Sequence, residues 1–128
     1  MTARARECPE AVRVGRLKKA VQFHDGAVLL GGDMPDASVA LMVDAGIASA
    51  DAVCCARLGK YSSSDNHNDA VALLGQADPT LEKYLRTLLG LKHKIAYTHQ
   101  PASADDLKKA TRAASALVEA ARRTSAIG

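Results

Sequence analysis

Apolar residues recur along most of this chain at spacings of three and four, the period of one helix face. Behind Pro9, a residue suited to the first turn of a helix, Val14, Leu17, Val21, His24 and Val28 keep that spacing. A first helix is therefore predicted from Pro9 to about Leu30, with this stripe turned inward and His24 a satisfied histidine on it. The run Gly31-Gly32-Asp33-Met34-Pro35-Asp36 closes that helix and opens the next. Residues 37 to 58 predict a second helix that is apolar almost all round, which makes it the most buried one. Its polar line, Asp44 and Asp51, is expected to face solvent, and Gly59 ends it.

The polar, serine-rich stretch from Lys60 to Asn68 predicts a loop. Asp65 or Asn66 then caps a short helix over residues 67–76, opened by His67. Asp78-Pro79 starts a fourth helix with Leu81, Tyr84, Leu85, Leu88, Leu91 and Ile95 on one side, fading near Thr98. Pro101 breaks it. Ser103-Ala104-Asp105-Asp106 approximates a capping box, and the last helix carries Leu107, Ala110, Ala114, Leu117, Val118 and Ala121 on one face. No pair of alternating segments flanks a hairpin dipeptide, and there is no internal repeat or dividing linker. The pattern predicts one all-α domain over residues 1–128, with its core at about 9–125. Its expected form is an up-and-down four-helix bundle with one short additional helix.

At 128 residues the chain can bury one core and not two. It has no Trp, one Phe (Phe23) and three Tyr (Tyr61, Tyr84, Tyr97). That excludes functions built on many stacking aromatics and leaves Ala, Leu and Val to pack the helices closely. The cysteines are Cys8, Cys54 and Cys55; an odd number with an adjacent pair predicts no disulfide framework. Cys-x-x-Cys and His-x-x-x-His are absent, so no structural zinc is expected. No apolar segment follows the N-terminal arginines, and Asp44, Ser49, Asp51 and Arg57 interrupt the longest apolar stretch. Neither a secretory signal nor a membrane span is predicted. A reducing cytoplasm is the expected location. No phosphate-binding Gly-rich loop or nucleophile elbow occurs, and no cofactor is expected.

Charge is uneven. Residues 1–23 hold six Lys/Arg against two acids, residues 24–82 two against nine, and residues 83–128 nine against three. If the first, fourth and last helices are neighbours, one face is basic and suits a polyanion or an acidic partner.

The block from Leu88 to Arg123, LLGLKHKIAYTHQPASADDLKKATRAASALVEAARR, resembles the C-terminal half of HEPN domains. Those have a basic helix ending in an aromatic or His element, a proline-containing turn, then an acid-capped Ala/Leu helix with an A-x-x-L-V end. Here these are Lys94 to His99, Gln100 to Ser103, and Leu107 to Arg123. The order of the upstream helices, with HNDAVALL after the polar turn, extends the likeness over most of residues 11–125. The resemblance implies a helical bundle, often a homodimer. Many members are metal-independent ribonucleases, frequently toxins paired with a nucleotidyltransferase antitoxin; others bind RNA or scaffold partners without cleaving.

The family's catalytic motif is Arg, a polar residue, about three others, then His. The equivalent span is Lys94-Ile95-Ala96-Tyr97-Thr98-His99, with Lys in place of Arg and Ile in place of the polar residue. As a ribonuclease, His99 would move the proton and Lys94 would clamp the phosphate, with Lys92 and Tyr97 contacting RNA. Lysine is a point charge where arginine offers a bidentate fork. Lys94 and His99 also lie about 140° apart on an ideal helix. They would converge only if the helix frays before His99 or across a dimer axis. The reading is a HEPN-like, non-catalytic or degenerate RNA-associated or partner-binding component of a defence or toxin–antitoxin type system. Two alternatives are an active ribonuclease toxin using Lys94 and His99, and a helical adaptor for a nucleotidyltransferase or other protein without RNA contact. A helix-turn-helix DNA binder is disfavoured for want of a basic recognition helix.

Overall fold

The computed structural model describes residues 4–63 and 65–127. Five helices dominate it: α1 (Glu10–Leu30), α2 (Pro35–Leu58), α3 (His67–Ala77), α4 (Glu82–Tyr97) and α5 (Ala104–Ile127). Two three-residue strands, β1 (Ala5–Glu7) and β2 (Lys60–Ser62), flank α1 and α2 in sequence and pair antiparallel. The fold class is all-α, as the periodicity predicts.

The ends of the helices follow from local chemistry. Pro9 is extended and precedes α1 as its cap, one position earlier than a first-turn proline. Pro35 begins α2, where its missing N–H would have no helical partner. Gly59 closes α2 with φ 71°, a left-handed conformation that a side chain would strain, and its N–H donates to Cys55 O at 3.0 Å. Asn66 Oδ1 accepts from the Asn68 N–H at 2.8 Å to start α3. The capping box at α5 is reciprocal: Ser103 Oγ accepts from Asp106 N and Asp106 Oδ2 accepts from Ser103 N, both at 3.0 Å.

The core is built around α2, which packs against each of the other four helices, while α5 also touches α1 and α4. Thirteen residues of α2 are buried. It is long and apolar enough to cross a membrane, yet 67% of its apolar window is buried in the fold, so its hydropathy is accounted for by core packing. Close approach is what its small residues permit. Ala45, Ala48 and Ala52 are fully buried, and a Cβ at Gly46 would run into Leu88 Cδ1 and lie 3.3 Å from Leu117 Cδ1.

Three expectations are corrected. The α1 stripe is not the inner face: Val14 and Val28 are 36% and 57% exposed, Leu17 and Val21 are half-buried, and the fully buried residues are Ala20 and Ala27. Helices in close contact meet through their small side chains, so α1 turns its alanines inward and its valines to the rim. The stretch after Gly59 is not all loop, because Lys60–Ser62 pairs with Ala5–Glu7 in the register Arg6 to Tyr61. A disulfide does form. Neighbouring Cys54 and Cys55 do not pair with each other; instead β1 runs back along β2 and delivers Cys8 to Cys55, with Cα atoms 5.4 Å apart.

Two buried serines on α2 give opposite predictions. Ser38 Oγ donates to Ala27 O at 2.8 Å and ties α2 to α1, whereas Ser49 Oγ is buried without a hydrogen-bond partner among the described residues. Ser38→Ala should cost about 1–2 kcal/mol, and Ser49→Ala should be neutral or stabilising by a few tenths of a kcal/mol. Urea denaturation of both variants checks the contrast; equal losses would contradict it.

Candidate functional site

A cavity of about 480 Å³ lies between α2, α3 and α4. Its α2 wall is Ile47, Ala50, Asp51 and Cys54, positions that share one face at spacings of three and four. α4 supplies Leu85 and Leu89, then Lys92 and Tyr97 toward its C-terminal end. The remaining rim is Ser62 from β2, then Asp65, Asn66 and His67 leading into α3, with Ala70 one turn on. The result is an apolar floor beneath a polar mouth, the usual construction of a binding cleft.

Asp51 is the charged group set deepest here. Its Oδ2 accepts from Arg16 Nε at 3.0 Å, across the α1–α2 contact, and only 16% of its side chain is exposed. The expected solvent-facing line of Asp44 and Asp51 is therefore broken: Asp44 is exposed, whereas Asp51 is turned in against Arg16. Burial pushes the Asp51 carboxyl up to about 6, against the opposing charge and hydrogen bond of Arg16. Lys92 and Arg16 both act by charge on Asp44, so the cations on this side face a pair of acids.

Cys54 is buried beside Asp51. Burial first, then the Asp51 charge, pushes its thiol up to about 12, so it is a packed side chain and not a nucleophile. Among the described residues no group of three or more His, Cys, Asp or Glu is placed to hold a metal ion.

The structure separates the residues that the sequence put together. Lys94 Nζ donates to Asp106 Oδ2 at 2.5 Å, joining α4 to the capped start of α5. That bond and the Ser103 N–H hold the Asp106 carboxyl below the ordinary carboxylate range. Lys94 is thereby committed to a corner of the fold. His99 lies on the exposed turn beyond α4, which ends at Tyr97. Thr98 Oγ1 donates to Lys94 O at 2.6 Å and accepts from Gln100 N at 3.2 Å, turning the chain before His99. The fraying before His99 does occur, but Lys94 points to Asp106 and not to a shared site with His99.

Lys92 and Tyr97 do come together on the cavity, with His93 and Tyr97 in ring contact at 5.7 Å between centroids. Sequence reasoning named these two as RNA contacts, but it did not connect them with Asp51, Cys54 or His67. The signal available was the face shared by Ile47, Asp51 and Cys54 on α2. His24 is held by a 3.1 Å hydrogen bond between its Nε2 and Ser115 Oγ, in keeping with a structural role. Compared with known proteins, the chain matches no family model, no curated protein and no solved structure.

Titration of Asp51 gives a prediction with a definite sign. Its folded pKa of about 6 exceeds the ordinary 3.8, so the folded chain holds more protons between those values. Its contribution to stability is then most favourable below about pH 4 and is lost as pH rises through about 6. The melting temperature of Asp51→Asn relative to wild type should therefore rise between pH 4.5 and pH 7.5. A relative fall over that interval would show that the Arg16 pair outweighs burial.

Proposed function

We propose that this chain is a HEPN-like helical module that associates with RNA through the cavity at α2 and α4 without cleaving it. The observation that carries the reading is the joint placement of Lys92 and Tyr97 on the cavity mouth. Both line the cavity that Asp51 and His67 also line, whereas Lys94, at the family's Arg position, is taken up by Asp106. With Lys94 held by Asp106, the phosphate clamp a ribonuclease would need is engaged elsewhere, which argues for binding over cleavage.

The physical roles follow. Lys92 supplies a cation for a phosphate, and Tyr97, 72% exposed, offers a ring face for a base. The apolar floor admits a splayed base, and the carboxylate of Asp51 can accept from its amino or imino edge. α5 lies against both α1 and α4, the other two helices richest in Lys and Arg. Exposed Val28, Leu29 and Met34 around the end of α1 support a second contact, with another copy of the chain.

Binding to a short single-stranded RNA should weaken steeply between 50 and 200 mM salt. Lys92→Ala should weaken it about 5-fold and Tyr97→Ala about 10-fold, the loss expected for one base–aromatic stack. His99→Ala should leave the affinity unchanged, and neither wild type nor variant should cut the RNA. Cleavage that survives EDTA and disappears in His99→Ala would overturn the reading in favour of a metal-independent ribonuclease. No RNA binding at low salt would leave the helical adaptor in its place.

A further inference from the structure

We propose that the Cys8–Cys55 disulfide is a thiol-exchange site, opened by a dithiol reductant, that latches the N-terminal strand across β2 and so holds one wall of the cavity. The inference does not rest on the RNA reading, because it concerns the wall and not what the cavity takes up.

Strand β1 has little else to hold it. All three of its residues are exposed, and it pairs with a strand of equal length. An isolated two-stranded sheet of this kind is marginal in water. Outside the strand pair, the backbone adds the Cys8 N–H to Gly59 O at 2.9 Å and the Ser63 N–H to Arg4 O at 3.3 Å. The covalent bond carries the rest. It runs to Cys55, which is 6% exposed in the last turns of α2 and belongs to the core. The segment is thus tethered to the heavily buried helix α2 by one bond of a kind that can be made and broken.

The strand it covers leads straight into the cavity. Ser62 ends β2 and lines the cavity, and Asp65, Asn66 and His67 line it immediately afterwards. Loss of β1 removes the strand partner of β2 and leaves that wall held by its packing against α2 and α3.

The exchange chemistry is set by access. Cys8 is only half-buried whereas Cys55 is buried, so an incoming thiolate attacks Cys8 Sγ. The S–S bond breaks, and Cys55 leaves as a thiolate and takes up a proton. The second thiol of the reductant then displaces Cys8 from the mixed disulfide. The dithiol ends as a disulfide and the protein holds two thiols. Cys54, adjacent in sequence, is buried and keeps its proton, so it does not intercept the reaction.

The test uses the full chain with dithiothreitol as the dithiol. Iodoacetamide labelling followed by intact mass should show no alkyl group before reduction. Afterwards it should show two, on Cys8 and Cys55, with Cys54 unlabelled. Hydrogen exchange should then quicken about 10-fold or more at the Cys8 and Ser63 amides and across residues 60–67, while α2 and α4 keep their protection. Cys8→Ser should reproduce that pattern without reductant. Three results would overturn the proposal: free thiols at Cys8 and Cys55 before reduction, unchanged exchange at residues 60–67 once reduction is confirmed by mass, or loss of protection throughout α2. The last would mark the bond as a staple of the whole fold.

Discussion

The close approach of α2 to its neighbours is the constraint on which this molecule depends. A helix surrounded by four others can be covered only if the interhelical distances are short, and here alanine and Gly46 set them. Leu88 and Leu117 fill the space that Gly46 leaves, so the core is tight without large aromatic residues. The same packing places Arg16 against Asp51 and holds α4 where its C-terminal residues overlook the α2 face.

Charge then divides into fastening and display. Lys94 with Asp106, and Arg16 with Asp51, bridge elements and are partly buried. Their geometry fixes the α4–α5 corner and the α1–α2 contact. Exposed pairs along one helix, such as Arg86 with Glu82 and Lys109 with Asp105, add little to stability. Lys92 differs from both groups in lining a cavity that Tyr97 also lines.

Much of the fold was legible because it depends on local signals. Helical period, Pro35, Gly59, the Asn66 cap and the Ser103–Asp106 box each act within a turn of the chain, and the helices lie where those signals put them. The inner face of α1 was misread because a periodicity argument favours the larger apolar residue, whereas close packing selects Ala20 and Ala27. The disulfide was illegible because it joins residues 47 apart through a chain reversal that two three-residue strands create. Its presence also bears on location: stable disulfides belong to oxidising compartments, and those in reducing ones are usually transient. The site was half-legible. Lys92 and Tyr97 stand out by type and spacing, but nothing local shows that Asp106, on the following helix, takes Lys94 out of the site.

The most direct test of the central claim, that the α2–α4 cavity is where this chain meets RNA, is a map of amide chemical-shift changes on titrating the labelled protein with a short single-stranded oligonucleotide. The account predicts changes concentrated at residues 47–54, 62–70 and 89–97, with the Lys92 and Tyr97 amides among the largest. Changes confined to α1 and the end of α5, with residues 47–54 silent, would contradict it.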